Sequence, residues 1–212
     1  GAMNILVIGA SGRVGSKLVR DLLDDGHQVT GTSRSSEKLF DEPDYTQIAL
    51  DITGSLHDIE AAIPEGTEAI YFVSGSGGKN LLQVDLHGAV KTMQAAESKG
   101  IQRYILLSAI FSLNPDKWST VVDYYTAKYF ADLYLMNQTK LNYTIIQPGY
   151  LMETEGSGNI RTDEANMRID GQISIQNVAD TLKEILDKPN TYGKNIPILD
   201  GDTPIAEAVL GQ

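Results

Sequence analysis

A glycine-rich turn that directly follows an apolar run near the start of the chain limits the possible folds more than any other feature. Residues 4–8 read NILVI, which is typical of a buried strand, and residues 9–15 read GASGRVG. The next apolar positions repeat at helical spacing; they are Leu18, Val19, Leu22 and Leu23. A strand, a G-x-x-G-x-x-G turn and a helix in immediate succession indicate the first βαβ unit of a parallel sheet.

Short apolar runs alternate with segments of helical period along the rest of the chain, as in a sheet with crossover helices. The predicted strands are Asn4–Ile8, Gln28–Thr32, Thr46–Leu50, Ala69–Val73, Tyr104–Ser108, Tyr143–Gln147, Ile173–Ile175 and Asn195–Leu199. The predicted helices are one that follows Gly15 and ends near Asp25, and then Leu56–Ile63, Leu81–Lys99, Ser119–Thr139 and Gln176–Leu186. This order predicts a doubly wound α/β fold with a mainly parallel sheet and helices on both faces.

We expect a single domain over residues 3–212, in which residues 149–212 form a small extension on the substrate side. Residues 153–168 are polar and lack an apolar period. They predict a long surface loop that could serve as a lid. Residues 1–2, ahead of Met3, resemble the remnant of an expression tag, so we expect them to lie outside the domain.

Composition and charge exclude several classes of function. The chain has no Cys, so disulfides, thiolate metal sites and cysteine nucleophiles are excluded. Its net charge of -11 repels nucleic acid and anionic membranes. The three histidines are scattered, which predicts no metal site. With no apolar stretch of about 20 residues and no signal sequence, we expect a cytoplasmic protein that binds neither membrane nor nucleic acid.

The glycine turn has the chemistry of a dinucleotide site. Glycines permit a tight turn, a close approach of the backbone to a pyrophosphate, and close packing of the helix on the strand. The pyrophosphate would lie at the N-terminus of the helix, where free N–H groups and the helix dipole favour an anion. The residues predicted to bind it are Gly9, Ser11, Gly12, Arg13, Val14 and Gly15.

The end of the second predicted strand favours NADP over NAD. An acidic residue at this place would bind a ribose 2'-hydroxyl, but the sequence here is Thr32-Ser33-Arg34. Arg34 offers a planar fork to a 2'-phosphate, the two hydroxyls can add hydrogen bonds, and Arg13 would supply a second cation on the same side. The alternative is that Arg34 is a solvated surface residue.

Two further segments follow strands of the predicted sheet at its carboxyl edge, where such sheets bind ligands. Asp51 and Ile52 could contact an adenine ring, although Asp51 is equally suited to a turn or a helix N-cap. Ser74 and Gly75 begin a run of small residues that would let a ribose lie against the backbone. The alternative for that run is a flexible loop that binds nothing.

A candidate acid lies on the helix after the fifth predicted strand. Tyr124 and Lys128 are four residues apart and share one helical face. An ammonium group beside a tyrosine lowers the pKa of the phenol and can also hold the nicotinamide ribose. The spacing arises readily by chance in a chain with 10 Tyr, so the position in the fold is the stronger argument. Ser108 could donate to a substrate oxygen, and Ser112 competes for that role.

Taken together, these segments resemble an atypical short-chain dehydrogenase/reductase. They are GASGRVG at 9–15, TSR at 32–34, LLSA at 106–109, YYTAK at 124–128 and YTIIQPG at 143–149. The chain is most similar to the small NAD(P)-binding proteins of the biliverdin/flavin reductase, epimerase-like and nitrogen-regulator-like branches. The resemblance implies a Rossmann fold that binds NADP, a possible triad of Ser108, Tyr124 and Lys128, and closure over the nicotinamide at Pro148. Related chains commonly carry Arg where Gln147 stands.

Three functions are consistent with this sequence. The first is an NADP-dependent oxidoreductase that moves hydride to a small carbonyl, quinone or flavin-like acceptor. The second is a non-catalytic sensor that binds NADP and regulates a protein partner. The third is an enzyme similar to nucleotide-sugar epimerases. For each, we expect a small-molecule ligand and either a monomer or a homodimer.

Overall fold

The computed structural model describes residues 1–212, which form eleven strands and six α-helices. The strands are β1 (Asn4–Ile8), β2 (Gln28–Thr32), β3 (Tyr45–Ile48), β4 (Ala69–Phe72), β5 (Arg103–Leu107), β6 (Asn142–Pro148), β7 (Tyr150–Met152), β8 (Asn159–Arg161), β9 (Gln172–Ser174), β10 (Lys194–Asp200) and β11 (Thr203–Pro204). The helices are α1 (Arg13–Asp24), α2 (Leu56–Ala62), α3 (His87–Ser98), α4 (Val122–Gln138), α5 (Ile175–Glu184) and α6 (Ile205–Leu210).

Nine strands form one sheet in the order β11-β8-β10-β6-β5-β4-β1-β2-β3. All neighbours from β10 to β3 are parallel, and only β8 pairs in antiparallel fashion, with β10 and β11. The chain order reverses between β1 and β4, which is the point where a doubly wound sheet opens a crevice for ligands. The predicted fold class is confirmed.

Two apolar cores lie on opposite faces of the sheet because successive strand residues point to opposite sides. Ile5 and Val7 of β1 pack with residues of α1, α5 and α6. Leu6 and Ile8 of the same strand pack with residues of α2, α3 and α4. The glycine turn therefore follows the carboxyl end of β1, a strand that is buried on both faces. None of the helices combines the length and the apolar character that a bilayer crossing requires.

The predicted helix Leu81–Lys99 is in fact two segments. Residues Leu81–Leu86 form a π-helical turn, and α3 begins only at His87. The π turn brings Asp85 inside, where its Oδ1 accepts hydrogen bonds from the backbone N–H and the hydroxyl of Ser76. A π turn of this kind is common at functional sites.

The other differences lie mainly in the second half of the chain. The helix predicted from Ser119 begins at Val122, because Val121 adopts a left-handed conformation with φ 46° that interrupts it. The segment 153–168 is not a loop throughout, since it contains β8 and a short 3₁₀ turn. Strands β7 and β11 and helix α6 were not predicted.

A buried arginine joins the sheet to the end of α5. Arg103 of β5 donates hydrogen bonds to the carbonyl oxygens of Leu186 at 2.8 Å, Ile185 at 2.6 Å and Asn142 at 3.0 Å. Its guanidinium carbon lies 4.4 Å from the ring centroid of Tyr192. No acidic side chain pairs with it, and burial lowers its pKa to about 10. A side chain from the sheet therefore donates to the carbonyl groups just after α5, and the Ile185 carbonyl also accepts the N–H of Lys188.

Candidate functional site

The glycine turn after β1 has the close contacts that its sequence predicts. Gly9 has φ +98°, and a Cβ added there would lie 2.7 Å from the backbone N of Ser74. A Cβ on Gly15 would lie 1.9 Å from the carbonyl oxygen of Gly9. Gly9 thus permits the turn against the end of β4, and Gly15 permits α1 to pack on it.

The N-terminus of α1 is prepared for an anion. Gly12 is its N-cap and provides no side-chain hydrogen bond, and no acidic residue lies in the first turn. The first N–H groups of the helix are left without intrahelical partners, and the helix dipole adds positive potential there. An anionic group of a cofactor fits this turn because neither a capping side chain nor an acidic one competes for those N–H groups.

A cleft of about 690 Å³ runs along the carboxyl edge of the sheet from this turn. It brings together ten of the residues predicted to bind the cofactor, which are Gly9, Ser11, Gly12, Thr32, Ser33, Arg34, Asp51, Ile52, Ser74 and Gly75. Val14 is buried beneath the turn, and Gly15 makes the close contact described above. Pro148 lies at the end of β6, where its carbonyl oxygen accepts the N–H of Ile110 at 2.9 Å.

At the end of β2, Arg34 is exposed and makes no hydrogen bond or ion pair. The two hydroxyls before it have partners within the chain. Thr32 Oγ1 accepts the backbone N–H of Gly9 at 3.0 Å, and Ser33 Oγ accepts that of Ser35 at 3.1 Å. Arg34 is thus the free cation at this end of the cleft, while the hydroxyls of Thr32 and Ser33 shape the turn around it.

Arg13 does not line this cleft. It lines a second cavity of about 740 Å³ on the other side of the glycine turn, together with Lys17, Glu153 and Gln176. Its guanidinium lies 3.9 Å from the carboxylate of Glu153, and both side chains are mostly exposed. That Arg13 adds a second charge beside Arg34 stays a prediction.

The hydrogen bonds in the loop after β3 decide between a turn and a helix N-cap as the structural role of Asp51. Its Oδ1 accepts the backbone N–H of Thr53 at 2.9 Å and the Thr53 hydroxyl at 2.6 Å, and these hydrogen bonds lower the pKa of Asp51. Ser55, not Asp51, is the N-cap of α2. Asp51 is therefore a turn residue that also lines the cleft, and its contact with adenine stays a prediction.

Tyr124 and Lys128 lie on one face of α4, with the Lys128 Nζ 5.9 Å from the Tyr124 ring centroid. Lys128 is buried and donates to the carbonyl oxygen of Leu107 at 3.1 Å. Burial lowers the pKa of Lys128, whereas the charges of Asp85 and Asp132 raise it.

The pKa of Tyr124 is not lowered overall in this structure, and the effect of Lys128 on it stays a prediction. The pKa of Tyr124 is raised, first by burial and then by the negative charges of Asp85 and Asp132. Two carboxylates near one ammonium group leave excess negative charge around the phenol, and that charge disfavours the phenolate. Tyr124 is held in its protonated form, as a proton donor requires.

Sequence reasoning missed a buried carboxylate beside this pair. Asp132 is fully buried, and its Oδ2 accepts the hydroxyl of Ser108 at 2.9 Å and that of Ser112 at 2.6 Å. Gln147 Nε2 in turn donates to Ser112 Oγ at 3.0 Å. In this structure Ser108 therefore donates its proton to Asp132, and not to a substrate oxygen as its position in the sequence predicts. The available signal was spacing, since Asp132 follows Lys128 by one further helical turn.

Comparisons with known proteins agree with this geometry. A profile of a family described as NAD(P)H-binding matches residues 9–189. YhfK of Bacillus subtilis, described as an uncharacterized sugar epimerase, is 36% identical over 98% of this chain and 99% of its own. The UPF0659 protein YMR090W of Saccharomyces cerevisiae is 32% identical over 98% of this chain and 97% of its own.

A solved structure, that of the oxidoreductase ylbE from Lactococcus lactis, is also similar. It has 42% sequence identity and a TM-score of 0.92, and the match covers 99% of this chain and 96% of the other. One relative is thus described as an epimerase and another as an oxidoreductase. The two descriptions differ in the reaction.

Proposed function

Because this chain belongs to the NAD(P)H-binding family, we propose that it is an NADP-dependent oxidoreductase that transfers hydride to a small carbonyl, quinone or flavin-like acceptor. One observation carries the proposal. The cleft that leads from the glycine turn has an unpaired arginine, Arg34, at one end. Beyond β4, on the side of the sheet away from Arg34, the half-buried phenol of Tyr124 and the buried ammonium group of Lys128 lie on one face of α4.

The choice of NADP rests on Arg34. The 2'-phosphate distinguishes NADP from NAD, and an arginine without an internal partner can bind it without first breaking an ion pair. We expect Arg34→Glu to weaken NADPH binding by about 10- to 100-fold, because a charge-assisted hydrogen bond is replaced by repulsion. NADH binding should change far less. Fluorescence titration with both dinucleotides measures the two effects.

Arg168→Glu is the matched control, because Arg168 is exposed and pairs only with Asp170. This variant should leave the affinities for both dinucleotides unchanged. Equal losses for NADPH and NADH in the Arg34 variant would contradict the assignment of the 2'-phosphate site.

Tyr124 and Lys128 have separate roles in the proposed acid–base chemistry. The nicotinamide supplies the hydride when it is bound. Tyr124 donates its phenolic proton to the oxygen that gains negative charge in the acceptor. Its raised pKa keeps that proton in place before reaction. Lys128 is held by the carbonyl of Leu107 and provides positive charge close to the forming phenolate.

We expect Tyr124→Phe to lower the turnover rate by about 100-fold or more, as for the loss of a general acid. The assay follows the dihydronicotinamide absorbance of NADPH with a panel of quinones, flavins and small carbonyls. Tyr129→Phe is the matched control, because Tyr129 lies on the same helix, is half-buried and makes no side-chain hydrogen bond. That variant should keep the parent rate.

Two other outcomes of this assay would change the proposal. Turnover that is equal in the parent and in Tyr124→Phe would retain the enzyme but remove the phenol from its mechanism, as for direct hydride transfer to a flavin. No turnover with any acceptor, together with tight NADPH binding, would overturn the oxidoreductase proposal and favour the sensor.

A sugar epimerase is the second candidate, because YhfK has this description and is similar over nearly its whole length. An epimerase keeps its cofactor through the cycle, so the protein should purify with dinucleotide bound and should convert a nucleotide-sugar without net change in NADPH. Protein that purifies free of dinucleotide and leaves nucleotide-sugars unchanged would exclude this candidate.

A further inference from the structure

The hydrogen bonds around Asp132 set the direction of the Ser108 hydroxyl. Oδ2 of Asp132 accepts two hydroxyl protons, and Oδ1 makes no hydrogen bond. Ser112 both donates to Asp132 and accepts from Gln147. Ser108 donates to Asp132 and accepts nothing through its hydroxyl. The unused hydrogen-bonding capacity of Ser108 is therefore that of an acceptor.

A serine hydroxyl has one proton and two lone pairs. Once the proton of Ser108 is given to Asp132, Ser108 cannot donate to a substrate carbonyl, but it can accept from a hydroxyl or an N–H group. Its backbone N–H is also used, since it donates to the carbonyl oxygen of Ile146 at 2.7 Å. A ligand group that hydrogen-bonds to Ser108, at the end of β5, must therefore be the donor of that hydrogen bond.

We propose that Asp132 is a positioning residue that fixes Ser108 as a hydrogen-bond acceptor, so that the site takes substrates that present a hydroxyl or N–H donor there. This inference rests on the proposed function and deepens it. In the alcohol form of a substrate, the hydroxyl can donate a hydrogen bond to Ser108. In the carbonyl form, the oxygen can only accept, and Tyr124 is the residue whose proton is free to be donated to it.

The groups that act on Asp132 or on its neighbours come from four elements. On its own helix, Lys128 lies one turn earlier, and its charge lowers the pKa of Asp132. Asp85 of the π turn acts on Lys128 and Tyr124. The neighbours after β5 and on β6 are uncharged: Ser108, Ser112 and Gln147. Burial outweighs these effects and raises the pKa of Asp132 to about 6. The carboxylate is thus the acceptor at neutral pH.

The test is a carboxyl titration of the full chain by ¹³C NMR with labelled aspartate. The Asp132 resonance is identified by its loss in Asp132→Asn, or by through-bond correlation to the backbone if that variant does not fold. We expect a midpoint of about 6 in the parent. Ser108→Ala and Ser112→Ala should each raise it by about one unit, because each removes one hydrogen bond to the charged form.

Ser98→Ala is the control, since Ser98 donates its hydroxyl to a different carboxylate, that of Glu60, and it should not move the midpoint. If Ser108→Ala leaves the midpoint at the parent value, the Ser108 proton is directed elsewhere and the proposal is overturned. The inference that the substrate presents a hydroxyl or N–H donor to Ser108 is then overturned as well.

The titration requires neither cofactor nor turnover, so its failure would leave the oxidoreductase proposal standing. Conversely, no activity in the acceptor panel would leave the titration result standing. With an alcohol–carbonyl pair identified by the panel, Ser108→Ala should raise KM for the alcohol more than KM for the carbonyl. The reverse order would contradict the acceptor role of Ser108.

Discussion

Gly15→Ala is expected to destabilise the protein by about 3 kcal/mol and to abolish measurable NADPH binding. The added Cβ would lie 1.9 Å from the carbonyl oxygen of Gly9 and 2.9 Å from its carbonyl carbon. Both atoms belong to backbone that is held between β1 and β4, so no side chain can rotate away to relieve the contact. The start of α1 must move, and with it the N–H groups that face the anion. Thermal unfolding with and without NADPH measures both effects.

Gly12→Ala separates these two consequences. Gly12 has φ −70°, which any residue adopts, and its added Cβ would lie 3.4 Å from the oxygen of Gly9. We expect stability close to that of the parent, because this distance is an ordinary contact, but weaker NADPH binding, because Gly12 lines the cleft and a methyl group there would take up space that the proposed pyrophosphate needs. A Gly15 variant as stable as the Gly12 variant would contradict the packing described for α1.

Arg103→Met is expected to lower the free energy of unfolding by about 3–5 kcal/mol, because it removes the buried hydrogen bonds that Arg103 donates to the carbonyl oxygens of Ile185, Leu186 and Asn142 and to the hydroxyl of Thr144. Methionine keeps much of the volume, so the loss reports hydrogen bonding more than a cavity. Urea unfolding of the parent and the variant measures the difference.

Arg161→Met is the control for the loss of an arginine. Arg161 is partly exposed and pairs with Asp163 on the surface, so its replacement should change stability by no more than about 0.5 kcal/mol. Arg103→Lys should recover only part of the loss, because an ammonium group cannot reproduce the fork of donors. An Arg103→Met variant as stable as Arg161→Met would show that the end of α5 does not depend on the sheet.

The elements that sequence predicts well are those whose signals are local. The bounds of β1 and β2 agree with the structure to the residue, because each is a continuous run with turn residues close to both ends. The π turn at Leu81–Leu86 could not be found in this way, since the apolar positions there fit an ordinary helix. Strand β8 has three residues, too few for a period, and exists because β10 and β11 pair with it.

The residues of the candidate site also divide into those with a local sequence signal and those without one. The glycine turn and Arg34 follow directly from neighbouring residues in the sequence. The environment of Tyr124 does not, because burial in the folded chain is the first cause that raises its pKa, and Asp85, the second, comes from a different segment that the fold brings to α4. The partners of Asp132 are equally non-local, since Ser108 and Ser112 precede it by 20 residues or more in the sequence.

The strand order separates Arg34 from Ser108 along the carboxyl edge of the sheet. Arg34 follows β2 and Ser108 follows β5, and three strand spacings, about 14 Å, lie between the ends of those strands. Groups at this separation that share no partner contribute independently, so their free-energy effects add. Cofactor preference and substrate chemistry can therefore diverge separately among descendants of this fold, and a change at one end of the sheet does not require compensation at the other.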